Sequence, residues 1–164
     1  VVPLRDGTLD GAPHAEIAAF REEIESMIQD LSATSNTLER QLDKVHAMQT
    51  ALARAEQEAP QLVTRLHEAR TQLLELEEAM NGSEAKGEIG ERSPPTPRSR
   101  MFVGYRALST TYGPTEMHRE TVATGRRELT AIQNELNTLV ETVMPELEQA
   151  LEAAGAPPLE TSGG

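Results

Sequence analysis

The sequence predicts an all-α protein, an extended antiparallel bundle of three or four helices with coiled-coil-like seams. Two observations carry that prediction. Aromatic residues are 2% of the chain while hydrophobic residues still make up 37%, with no Trp and no Cys. The apolar material is therefore Leu, Ala, Ile, Val and Met, which suit helix seams better than the layers of a β-sandwich or barrel. The second observation is period: Ile17, Ile24, Leu31, Leu38, Val45 and Leu52 recur every seven residues, the spacing of one helical face.

The elements follow in order. Residues 1–13 carry Pro3, Gly7, Gly11 and Pro13 and read as a linker, with Val1-Val2-Pro3-Leu4 as the last strand of an upstream β domain. The first helix is expected over about 15–55, with Phe20, Met27 and Met48 in the second seam position and Ile28 and Leu42 widening the stripe. At 1.5 Å per residue, some 40 residues span on the order of 60 Å. The run Ser32-Ala33-Thr34-Ser35-Asn36-Thr37 is a soft middle, but the register passes through it unbroken. Pro60 is compatible with two outcomes. It suits the first turn of a new helix, yet the heptad phase runs on through Ala59 to Leu66 and Leu73, as in a single kinked helix. A turn near 54–60 is expected.

Leu62, Leu66, Ala69, Leu73, Leu76 and Met80 give a second helix over 60–80, stopped by Asn81-Gly82. Residues 83–97 hold too many breakers and too few apolar groups to order themselves, and read as a linker. Met101, Tyr105 and Leu108 keep helical spacing, placing a short third helix over 98–112. Gly113-Pro114-Thr115 separates it from a last long helix over 115–154, with Thr115 as the N-cap. That seam runs Val122, Gly125, Leu129, Ile132, Leu136, Leu139, Val143, Leu147, Leu151 and Ala154. Pro145 lies inside it and is expected to kink the helix without ending it, at the expense of the hydrogen bond to the Glu141 carbonyl. Gly155 closes the bundle, and 156–164 is a flexible tail.

Charge and composition exclude several functions. Acids outnumber bases 27 to 15, for a formal net charge of −12, so nucleic acid and anionic membranes are unfavourable partners. No apolar run approaches the ~20 residues of a membrane span, so no membrane insertion is expected. The chain begins with Val rather than Met, as a piece of a longer protein would.

No catalytic or cofactor constellation stands out. A bundle di-metal site draws on Glu-x-x-His pairs, but Asp43, Thr64 and Thr115 stand three residues before His46, His67 and His118, and His14 lies in the linker. Asp43-x-x-His46 is the only near match, so a metal-binding carboxylate bundle is a distant alternative. Glu22-Glu23 and Glu77-Glu78 read as solvated faces, because adjacent helical residues point about 100° apart. Arg126-Arg127 reads as an ion-pairing doublet. Gly82, Gly87 and Gly90 follow a helix, not the strand that a phosphate loop requires. The most suggestive group is Phe102, Tyr105 and Tyr112, three of the four aromatics. They are either the core of the short helix or a docking surface for another domain.

The order of segments resembles the C-terminal helical region of bacterial sortilin-type, Asp-box repeat β-propellers, often labelled glycosyl hydrolase-like. The resembling pieces are Val1-Val2-Pro3-Leu4, the Leu38–Leu52 and Leu62–Met80 helices, and Gly113-Pro114-Thr115 with Met144-Pro145-Glu146-Leu147 and Ala154-Gly155-Ala156-Pro157. The resemblance implies a secreted or cell-envelope β-propeller and small β-sandwich upstream, with any active site there, because the Asp-box motif ends in Trp. The expectation is a non-catalytic interaction module whose partner is that upstream β-propeller/β-sandwich or another protein. A free-standing coiled-coil homo-oligomer is the alternative.

Overall fold

The computed structural model describes residues 13–83, 94–110 and 113–159, all helix or short connection. The expected strand at Val1–Leu4, most of the 83–97 linker, Tyr112 and the end of the tail lie outside these residues. Helix α1 spans His14–Leu52, α2 Pro60–Asn81, α3 Pro97–Ala107, α4 Glu116–Thr138 and α5 Met144–Ala153. A π-helical turn over Leu139–Val143 joins α4 to α5.

The α1 seam is buried where the heptads place it, at Ile24, Leu31, Leu38 and Val45 with Phe20, Met27 and Met48. The soft middle is continuous helix, as expected, and its hydroxyls turn back onto the helix. Ser32, Thr34 and Thr37 each donate to the carbonyl four residues back, at 2.9, 2.7 and 3.0 Å. Ile17 and Leu52, at the two ends of the stripe, are only partly buried.

A turn, not a kink, follows α1. The chain leaves the helix at Ala53, three residues before the expected end, through tightened bonds from Arg54 N–H to Ala51 O and Ala55 N–H to Leu52 O. Pro60 then opens α2 at its first turn. Leu62, Leu66, Ala69, Leu73, Leu76 and Met80 are all buried. Gly82, at φ 89°, ends the helix as the Asn-Gly pair predicts.

Cross-chain bonds set the direction of each column. Glu16 pairs with Arg119, Asp30 with Arg126, Thr34 with Gln133 and Lys44 with Glu148. Residue numbers rise together, so α1 and the α4–α5 column are parallel. Arg65 pairs with Glu146 at 2.8 Å, near the start of α2 and late in the α4–α5 column, and Arg98 joins Asn81 to Ser35. Helix α2 therefore runs back along α1. Arg100 pairs with Glu128, and Gly104 lies against Val122 and Ile24, so α3 continues the direction of α2 toward the start of α1. Among the described residues the five helices thus form three columns, up, down and up, with the middle one broken between α2 and α3. All contribute to one core.

Leu129, Ile132, Leu136 and Leu139 are buried as the seam predicts. Beyond them the seam shifts. Met144 is buried in place of the expected Val143, which is only partly covered, and the next buried positions are Leu147 and Leu151. The π turn inserts one residue, with Met144 N–H reaching back five residues to Leu139 O. Pro145 follows at once. Its ring would clash with the carbonyl four residues before it, and a widened turn relieves that crowding, so the helix continues through the proline. At the far end Gly155, at φ 70°, closes α5, and Ala156 N–H bonds Leu151 O at 3.1 Å. Gln57 N–H bonds Ala154 O at 3.4 Å, tying the α1–α2 turn to the end of α5. Ala156 and Leu159 pack on the core beyond it.

Two polar residues interrupt the second seam of α1. Thr34 is buried and accepts from Gln133 Nε2 at 3.1 Å. One heptad on, Gln41 is half-buried, and its Oε1 has no hydrogen-bond partner among the described residues. An unsatisfied buried acceptor costs about 1–3 kcal/mol.

Two substitutions test this packing. Leu136→Ala is expected to cost about 2–5 kcal/mol in chemical denaturation, and an unchanged midpoint would overturn the assigned α4 seam. Gln41→Leu is expected to raise stability by about 1 kcal/mol, because it removes the unpaired acceptor and extends the apolar seam.

Candidate functional site

Helix α3 and the break beside it form the candidate site. The helix starts on a capping box that the sequence reading did not identify. Thr96 Oγ1 accepts from Ser99 N–H at 3.2 Å, and Ser99 Oγ accepts from Thr96 N–H at 2.8 Å. Thr96-Pro97-Arg98-Ser99 spells this out: cap, proline at the first helical position, and a second hydroxyl three residues after the cap. The helix ends at Ala107, five residues short of the expected Tyr112. Its exit is tightened by bonds from Leu108 N–H to Tyr105 O and Ser109 N–H to Arg106 O.

The buried face of α3 is Pro97, Met101, Gly104 and Ala107. This corrects the expected seam of Met101, Tyr105 and Leu108. Gly104 is the cause. A Cβ there would lie 2.4 Å from Val122 Cγ2 and 2.6 Å from Ile24 Cδ1, so α3 approaches α1 and α4 too closely for a side chain at that point. Gly125 of α4 makes the matching approach, where a Cβ would stand 2.9 Å from Arg100 Cβ. With small residues turned inward, the large ones turn outward. Phe102 is 50% exposed and Tyr105 56%. Three residues apart, they share one side of the helix. Of the three predicted docking residues, the structure brings these two together at the surface, and Tyr112 lies outside the described residues.

Two further apolar side chains, missed in the sequence, are exposed beside the break. Val103 is 41% exposed and Met117, in the first turn of α4, 64%. Both line an open cleft of about 1020 Å³ at the break in the middle column, walled by Pro94, Pro95, Arg98 and Arg100. The signal for Met117 was available: it is a large apolar residue two places after the Thr115 cap and off the seam that begins at Val122.

The other candidate groups are dispersed. His14 is the first residue of α1, not part of a linker, and it is exposed, as are His46, His67 and Asp43. His118 is not simply a solvent-facing side chain. Its Nδ1 accepts from Thr115 N–H at 3.1 Å and lies 2.9 Å from Thr115 Oγ1, closing the start of α4. Among the described residues, no three His, Cys, Asp or Glu side chains are gathered so as to hold a metal ion. Arg126 bonds Asp30 at 2.7 Å and Glu23 O at 2.9 Å, while Arg127 bonds Thr124 within its own helix. Among the described residues no helix is long and apolar enough to cross a membrane.

Compared with protein-family models, curated proteins and solved structures, the chain matches none.

Phe102→Ser and Tyr105→Ser are expected to leave stability within about 0.5 kcal/mol of the parent, as for surface positions without structural partners. Gly104→Ala is expected to lower it by about 1–3 kcal/mol despite the better helix propensity of Ala, because overpacking outweighs that gain. Thermal melts of the three variants distinguish the outward face from the inward one. A Gly104→Ala protein as stable as the parent would overturn the close approach.

Proposed function

We propose that the chain is a non-catalytic interaction module that docks through the outer face of α3. The observation that carries this reading is the exposure of Phe102 and Tyr105 together. The chain has four aromatics, and these two face solvent although Phe20 alone shows that the core accepts a ring. Aromatic side chains presented on a rigid helix are the usual anchors of a protein interface. Val103 and Met117 add exposed apolar surface along the open cleft.

The segment order that resembles the helical region of Asp-box propellers gives the partner its expected identity. In that setting the bundle is the accessory C-terminal domain of a secreted or envelope β-propeller protein, and α3 packs against the upstream β-propeller or β-sandwich. Nucleic acid and membrane insertion have no part in this reading. The alternative of a coiled-coil homo-oligomer is less well supported, because the heptad seam of α1 is consumed within one chain: Ile24, Leu31, Leu38 and Val45 are each at most 1% exposed.

Hydrogen exchange tests the proposal. Amides of Met101–Ala107 are compared between this chain alone and a longer polypeptide that carries the proposed upstream β-propeller and β-sandwich. Slower exchange in the longer protein is expected. Equal rates at α3 would overturn docking to that region, and hydrolytic turnover by the chain alone would overturn the non-catalytic reading.

A further inference from the structure

Helix α3 differs from the rest of the molecule in charge as well as in exposed aromatics. It carries Arg98, Arg100 and Arg106 and no acidic residue, in a chain of formal net charge −12. The other helices are each net acidic: α1 has seven acids and three bases, and α5 has three Glu and no base. The arginines are placed around the apolar patch. Arg98 and Arg106 stand four residues before and four after Phe102, so a guanidinium lies on either side of that ring along one face of the helix.

Among the described residues, carboxylates meet only one of the three guanidinium groups. Arg100 pairs with Glu128 at 3.0 Å. Arg98 bonds only neutral groups among the described residues, Asn81 Oδ1 at 2.6 Å and Ser35 Oγ at 3.2 Å. Arg106 is exposed and has no carboxylate partner among them. Arg98 and Arg100 also wall the cleft into which Val103 and Met117 open. Apolar floor and cationic rim therefore occur together, the arrangement in which buried apolar contacts supply affinity and rim charges supply orientation and rate.

We propose that the docking face takes an acidic amphipathic protein segment, with its apolar side chains against Phe102, Tyr105 and the Val103–Met117 cleft and its carboxylates on Arg98 and Arg106. This rests on the reading of α3 as a docking face and adds the chemistry of what docks. The acidic remainder of the surface contributes by repulsion: an acidic segment is disfavoured everywhere except at α3, which fixes where and how it lands. A basic segment would be drawn to the other columns and repelled here.

The test uses the full chain, labelled with ¹⁵N, and three helical probe peptides with one Leu/Phe stripe flanked by Glu, Gln or Lys. Titrations are followed by amide shifts at ~0.05 M and ~0.5 M salt. The Glu peptide is expected to perturb α3 and the start of α4, to bind at least ~10-fold more tightly than the Lys peptide, and to lose most of that advantage at high salt. The double variant Arg98→Gln, Arg106→Gln is expected to erase the preference. Arg106→Gln alone, at an exposed position without a carboxylate partner among the described residues, gives the same direction if the double variant folds poorly. Phe102→Ser is expected to weaken all three peptides alike. Equal affinity for Glu and Lys peptides, still mapped to α3, would overturn the acidic partner while leaving the docking face. Absence of any shift at α3 would overturn both. Concentration-dependent association of the chain alone, lost in Phe102→Ser, would overturn the proposal in favour of a second copy as the occupant.

Discussion

The contact on which the site depends is the one at Gly104, where α3 meets Val122 and Ile24 with no room for a Cβ. A broken column in a bundle has to recover at its second piece the packing lost at the gap. With 11 residues, α3 has few side chains with which to do so. Close backbone approach substitutes for side-chain volume, because dispersion contacts depend on separation as much as on size. Once the inward stripe is Pro97, Met101, Gly104 and Ala107, the larger residues of α3 have no inward position left. The exposed aromatics and the tight helix packing are thus two results of one constraint.

The polar contacts between α1 and the α4–α5 column have a different role. Glu16–Arg119, Asp30–Arg126 and Lys44–Glu148 are partly solvated pairs, each contributing on the order of 0–1 kcal/mol. Their spacing along both helices matters more than their strength. A slip of α1 by one heptad would still match Leu to Leu but would separate every one of these pairs and the Thr34–Gln133 bond. Apolar seams supply the stability of this protein, and the polar ladder fixes one register among several that the seams alone would permit. Arg119 also lies over the Phe20 ring, 5.5 Å from its centre, at the end of the ladder where α1 begins.

Much of this was legible in the chain. The α1, α2 and α4 seams were readable because Leu, Ile, Val and Met at helical spacing leave few other ways to be buried, and the Asn81-Gly82 and Gly155 stops were readable because an L side chain resists positive φ. The α3 seam was not, because glycine has no hydrophobic signature: a periodicity search passes over Gly104 and selects Tyr105 instead. The end of that helix is hidden for the same reason, since Tyr112 extends a pattern that the inward face does not follow. The shift from Val143 to Met144 was hidden by coincidence. Val143 lies four residues from both Leu139 and Leu147, so an unbroken α-helix fits the letters as well as the widened turn does. The His118 cap has no such signal, because Thr-x-x-His is not the Ser/Thr-x-x-Glu pattern of a capping box.

The π turn at Leu139–Val143 has a consequence for the length of the molecule. In a uniform α-helix one inserted residue rotates everything beyond it by about 100°. Here the surplus residue is held in a single wide coil, and the helix resumes with its apolar side still facing inward. The column therefore behaves as a segment with an expansion joint: an odd-residue change in length is absorbed at one place instead of propagating to the end. That place is next to the one proline of the column, where the regular hydrogen-bond ladder is already interrupted. An irregular coil adds least disruption there, and the two imperfections share one site instead of weakening two.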